Sequence, residues 1–451
     1  MRTIVIGAGV GGLAAAIALR RKGHDVTILE ATDRIGGLAG GFDVDGKSHD
    51  GGPYILLDRP GLAWAFERLG LVLDEHVDLI ALDEIYRVRR PGGPDIHIYA
   101  DLARTADALP DGARDAYIAF VRRMIEIHEH LAPLQRAPFR GARALVRRGL
   151  VREAVFLLRG LDGNLRSTKL PDAVRDALGI WTHIAGQPLE EAPAPLALVP
   201  ALIHTHGAYT VRGGIRRIPE ALARVAEPLG IDVRFRTPVT RIVRDRRRVL
   251  GVETAEGERI DASLVISNAP GIATYTRLLD PPDPALSAEL AQLPLQSPGI
   301  AAYIEADVGR DVPFLQFWLP GNGEKCRVLI HAGAVDDSRR GTVRIVSPMD
   351  HGGDADTQRA HLARVLDEPW WRPGITNPRV VATRIPVEWG TRHYLWRDSM
   401  NPTMTASFMR KGRIAHQSPV ADNLRLCGAA THPGQWVSFC AISGVLAADA
   451  T

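Results

Sequence analysis

The chain has 451 residues, 45% apolar and 24% charged, with a formal net charge of +3. These are the proportions of an ordinary globular protein, long enough for two or three domains. With five lysines and no basic run interleaved with stacking aromatics, composition gives no case for a nucleic-acid partner. No apolar run reaches the roughly 18 residues that a membrane-spanning helix needs. The three cysteines, Cys326, Cys427 and Cys440, are odd in number and lack metal-ligand spacing. They are expected to be buried free thiols in a cytoplasmic protein with no leader ahead of its first strand.

Residues 4–6 read as a buried parallel strand. Gly7, Gly9 and Gly12 follow at G-x-G-x-x-G spacing, then an Ala/Leu-rich helix over 13–21 and a second strand over 25–29 that ends at Glu30. In register, these parts make a dinucleotide-binding βαβ unit. One glycine forms the tight turn, one admits a pyrophosphate and one packs helix on strand, while Glu30 faces a ribose diol. Unpaired amides at the positive helix end receive the phosphates.

Beyond Glu30 come Arg34, Gly36, Gly37 and Leu38, then Gly40-Gly41-Phe42 and His49-Asp50-Gly51-Gly52-Pro53. This E-x-x-x-R-x-G-G continuation resembles the amine-oxidase and phytoene-desaturase flavoproteins, where the segment runs along FAD. The resemblance implies FAD as cofactor, with Arg34 as a cation for the pyrophosphate and the backbone at Gly36 and Gly37 lying close to it. Those families often have Arg where Leu38 stands, so one contact is missing here or supplied elsewhere.

Further along, helical spacing is expected over 60–69 and, as a long amphipathic helix, over 113–131. Strands are expected over 83–88 and 96–99. The stretch 136–169 carries nine Arg or Lys against Glu153 and Asp162. Its apolar positions Ala142, Leu145, Val146, Leu150, Ala154, Leu157, Leu158 and Leu161 fit a helical stripe. That pattern suits either a half-buried covering helix or a peripheral contact with an anionic membrane. Residues 192–203 are apolar but broken by Pro193, Pro195 and Pro200, which argues against a regular helix and for a pocket wall.

The chain then returns to the cofactor. A helix over 219–229, strands over 231–235, 238–243, 249–253 and 264–266, and Asn268-Ala269-Pro270 resemble the second half of the same FAD domain. There the valine after a proline, here Val239, lends its backbone to adenine. Residues 300–390 read mainly as strands. Near the end, Gly428-Ala429-Ala430-Thr431-His432-Pro433-Gly434-Gln435-Trp436 precedes an apolar helix over 437–448. It resembles the desaturase and carotenoid-isomerase turn that presents a positive helix end to the flavin. The resemblance assigns Gly428, Gly434, Gln435 and Trp436 to the cofactor.

The expected fold is α/β: a Rossmann-like FAD-binding domain (residues 1–75, 207–295 and 411–451) with a discontinuous mixed-sheet and helical substrate domain (76–206 and 296–410). The leading expectation is an FAD-dependent oxidoreductase that moves a hydride between a C–H bond of an apolar substrate and the flavin. The alternatives are an amine-oxidase-like enzyme on a small natural product, a double-bond isomerase using reduced flavin, and a non-enzymatic prenyl-lipid escort. For acid–base work the candidates are His432, His204, His206 and His183, because imidazole titrates near neutrality. His204 and His206 lack a nearby third ligand, so no metal site is expected.

Overall fold

The computed structural model describes residues 1–138, 142–184, 186–321, 323–332 and 340–451. At its centre is a five-stranded parallel sheet in the order Leu424–Leu426, Leu264–Ser267, Arg2–Ile6, Asp25–Leu29, Asp232–Arg234. Ile4, Val5, Val265 and Ile266 are fully buried, as expected of parallel strands covered on both faces. The helix Val10–Arg21 buries Leu13, Ala14 and Ile17 against the C-terminal helix Val437–Asp449 through Ala441, Ile442 and Val445. These helices touch closely because their facing residues are small. A Cβ on Gly444 would stand 2.3 Å from the Gly11 carbonyl oxygen and 2.9 Å from the Ala14 Cβ.

A four-stranded sheet, ordered Arg259–Asp261, Arg248–Thr254, Val239–Asp245, Leu279–Asp280, flanks this unit. A seven-stranded sheet runs Ile375–Arg384, Gly299–Val308, Arg340–Pro348, Arg327–Ala332, Leu315–Trp318, Glu84–Arg89, Ile96–Tyr99. Five of its strands come from the region read as mainly strand. That region also holds the helix Ala355–Asp367, which buries Leu362 and Val365 and starts where the Asp354 carboxylate accepts from Thr357 N (2.8 Å). Asp354 is a legible N-cap, but strand-like neighbours on both sides masked it.

Helices cover one end of the seven-stranded sheet. Arg114–Gln135 buries Tyr117, Phe120, Met124, Ile127 and Leu131. The basic stretch is three short helices, Ala142–Arg147, Val151–Leu158 and Gly160–Arg166, separated around Gly149 and at Arg159; residues 139–141 lie outside the described part. Residues 192–203 depart from expectation, for Val199–His206 is a regular α-helix. Pro200 sits in its first turn, where the missing N–H would have had no intrahelical partner. Among the described residues, no helix is long and apolar enough to cross a membrane.

Candidate active site

Two helix starts open into one cavity of 1380 Å³. The first belongs to Val10–Arg21. Its N-cap, Gly9, makes no side-chain cap, and no acid lies in the first turn. The first amides therefore keep their donors for a ligand. Gly12 packs this helix on the preceding strand, since a Cβ there would come within 2.1 Å of the Gly7 carbonyl oxygen. The second start belongs to Val437–Asp449, where Trp436 gives no side-chain cap and the first turn again lacks acid.

The Glu30 carboxylate is held between these parts. Oε2 accepts from Ala8 N (2.8 Å), and Oε1 from Thr32 N (2.8 Å) and Thr32 Oγ1 (2.7 Å). A carboxylate offers about four acceptor positions, so an oriented one remains for a hydroxyl. Gly36 N donates to the Ala8 carbonyl (2.8 Å), folding the 36–40 segment back over the glycine turn. At the other end, Gly428 N donates to Ser443 Oγ (2.9 Å), which ties the late turn to the C-terminal helix. Two unfilled helix ends, a close-approach glycine turn and a preset carboxylate fit an adenine dinucleotide with its pyrophosphate.

Of the residues singled out in the sequence, Gly7, Gly9, Glu30, Gly36, Gly37, Leu38, Val239, Gly428, His432, Gly434, Gln435 and Trp436 lie on the cavity wall. Gly12, Arg34, His204 and His206 do not. Arg34 is a surface cation, with Nε on Asp33 (3.1 Å) and Nη1 on the Gly41 carbonyl (3.2 Å). The cations reaching the 50–52 segment come instead from the seven-stranded sheet. Arg344 donates to the Asp50 and Gly52 carbonyls (2.5 and 2.7 Å), and Arg384 to the Gly51 carbonyl.

The histidines divide in the same way. His204 Nδ1 donates to the Ala100 carbonyl (3.0 Å), so its Nε2 accepts from the Tyr117 hydroxyl (2.7 Å). Both nitrogens are therefore engaged in packing. His206 lies against His128 with ring centroids 5.6 Å apart, and it is His128 that reaches the wall. His432 Nε2 donates to the Leu134 carbonyl (2.9 Å). Burial pushes the pKa of both His128 and His432 down to about 4, so both rings are neutral near pH 7. The side chain of His183 lies outside the described residues.

Beyond the cradle one part of the wall is apolar: Leu131, Leu134, Leu145, Leu157, Leu196 and Leu202. One ligand usually occupies about 300–1,000 Å³. The larger volume found here accommodates a cofactor and a second molecule together. His128 and the arginines on this wall had no signal in the sequence, because each reaches the cavity from a distant element.

The family model described as flavin containing amine oxidoreductase matches residues 10–304, well over half the chain. The chain is 31% identical over 288 residues to a zeta-carotene-forming phytoene desaturase of Myxococcus xanthus, a match covering 62% of this chain but only 55% of that protein. It is 26% identical over 512 residues to a hydroxyneurosporene desaturase of Rubrivivax gelatinosus, covering 99% of this chain and 92% of the relative. Among solved structures, an oxidoreductase from Methanosarcina mazei aligns with a TM-score of 0.67 at 18% identity, covering 98% and 99% of the two chains. Putrescine oxidase bound to putrescine aligns at 0.61 and 18% identity, covering 100% of this chain and 98% of that one. These last two show the fold. The extent of the family match, on a chain whose cradle fits an adenine dinucleotide, carries the further step: this chain belongs to the flavin-containing amine oxidoreductase family.

Proposed function

We propose that this protein is an FAD-dependent oxidoreductase that acts on a long apolar substrate as a desaturase, with residues 1–75, 207–295 and 411–451 holding FAD and 76–206 and 296–410 enclosing the substrate. The carrying observation is the leucine-lined extension of the cavity beyond the cradle. The names of the carotenoid-desaturase relatives support it. Bound FAD supplies the two-electron acceptor for a C–H bond. The chain's own part is to align an extended hydrocarbon along Leu131, Leu134, Leu157 and Leu196 and to exclude water. The neutral rings of His128 and His432 add no charge of their own to that space.

Lys411 is the lysine on the wall among the described residues, and its Nζ is exposed and paired with Glu289 (3.3 Å). This weighs against the amine-oxidase reading, in which a lysine works beside the flavin. Anaerobic addition of an acyclic polyene to the purified flavoprotein is expected to bleach the flavin absorbance and add one double bond to the polyene. Bleaching by a primary amine and by no polyene would transfer the reading to amine oxidation.

The same reading gives the substrate a way in. Helix Val151–Leu158 turns Ala154 and Leu157 to the cavity and leaves Val151, Val155 and Leu158 exposed at 57%, 47% and 64%. Their i, i+4, i+7 spacing makes an outward apolar face. Val146 extends it, and Arg147, Arg148, Arg152 and Arg159 stand exposed around it. Leu158 belongs to both surfaces, being on the cavity wall and exposed. We read this face as resting on an anionic bilayer, each arginine contributing about 1 kcal/mol near such a surface. Binding to vesicles of phosphatidylglycerol and phosphatidylcholine in equal parts is expected, weakening with salt and lost in a Val151→Asp/Val155→Asp double variant. No binding at low ionic strength, or a dimer that the double variant splits, would show that the face covers something else.

A further inference from the structure

Arg413 stands on the wall of the cavity next to the turn at Gly434; a Cβ on that glycine would lie 3.3 Å from its Nη2. Its guanidinium has five N–H donors but meets a poor set of acceptors. Nη1 donates to the Ala429 carbonyl (3.2 Å), Nη2 meets the Met404 sulfur (2.8 Å), and the buried Nε has no partner. Burial holds its pKa down at about 10, and no carboxylate offsets that effect. A buried guanidinium left without a counter-charge is strongly unfavourable.

Two other arginines of the wall differ. Arg344 and Arg384 spend their donors on the 50–52 backbone, and Arg344 lies within the field of the Asp50 carboxylate. Around Arg413 the surroundings add donors and positive potential. Asn401 reaches Gln435 (3.0 Å), and with its amide turned over it donates to the Ala429 carbonyl (3.2 Å) that Arg413 also uses. The uncapped start of helix Val437–Asp449 contributes its positive end. The cavity is thus apolar along one part and cationic at this corner.

We propose that Arg413, assisted by Asn401 and Gln435, binds the carboxylate end of an amphiphilic substrate whose hydrocarbon chain fills the leucine-lined part. This rests on the apolar-chain reading above and narrows it to chains with one acidic terminus. The oxidised isoalloxazine ring is neutral and cannot supply the missing charge. The phosphates of FAD have their own donors at the Gly7–Gly12 end.

The test uses the holoprotein, titrated below micellar concentrations with oleate and with oleyl alcohol and followed through the flavin spectrum. Oleate is expected to bind about tenfold or more tightly than the alcohol, a difference of 1.4 kcal/mol or more. Arg413→Gln abolishes the preference with flavin content and midpoint potential unchanged, and Arg413→Lys, which keeps the charge, restores part of it. Equal binding of the two ligands to the native protein overturns the proposal and leaves the apolar-chain reading intact. A preference that survives in Arg413→Gln also overturns it, as does a shifted potential with the preference retained, which would assign the arginine to the flavin. If neither ligand binds, the apolar-chain reading falls as well.

Discussion

Gly9→Val is expected to yield a folded, colourless protein. The site chosen separates binding from folding. A Cβ at Gly9 meets only the end of the Asn268 side chain (2.6 Å to Nδ2), whereas one at Gly12 meets the backbone carbonyl of Gly7 at 2.1 Å. Valine at position 9 therefore leaves the βαβ unit standing and puts methyl groups on the wall where the helix amides open. Those amides are the natural seat of a pyrophosphate, and losing several charge-assisted hydrogen bonds of about 1.5–3 kcal/mol each removes most of the affinity. Circular dichroism should match the native protein, with the visible absorption band of the flavin absent. A variant with full flavin content would remove the glycine turn from the cofactor site.

Gly444→Leu is expected to damage both ends of the cradle at once. Its Cβ would sit 2.3 Å from the Gly11 carbonyl oxygen, so the two helices must part. Overpacking of this kind costs about 1–3 kcal/mol, and the displacement falls on functional backbone. Gly11 belongs to the first helix start. Ser443, beside the mutation, accepts from Gly428 N and bonds Thr431 Oγ1 (2.6 Å) in the late turn. The variant should purify with little flavin and a lowered thermal midpoint, and excess FAD should recover part of the midpoint by mass action. Gly444→Ala should show the same changes to a smaller degree. Native flavin content and midpoint in the leucine variant would mean the helices can separate without cost to the site.

The cradle was legible because its bonds are local. Glu30 binds Ala8 and Thr32, and Gly36 binds Ala8, all within one βαβ unit and its extension. The late turn was legible for a similar reason, as a short strand, glycine and proline run directly into a helix. Arginine placement was not. Arg344 reaches Gly52 across 292 residues, and among so many arginines nothing marked Arg344, Arg384 or Arg413 as interior. Arg34 fits the motif by spacing, yet Asp33 beside it competes for the same guanidinium. His204 looked available because its partner, the Tyr117 hydroxyl, is 87 residues away. In the basic stretch the apolar spacing was visible, but spacing alone could not tell which leucines face the cavity and which valines face out.

The sheet order has a consequence for how the protein is made. Residues 2–6 form the central strand, and the strand on the far side of Leu264–Ser267 is contributed by residues 424–426. The first helix rests its Leu13 and Ile17 on a partner that ends at Asp449. Translation at about 5–20 residues per second puts roughly 20–90 s between the emergence of these two helices. Throughout that interval the nascent chain displays an apolar helix face and a glycine turn whose late counterpart is not yet made. Completion of the cradle is therefore tied to the synthesis of residues 424–449, some four hundred positions after its first half.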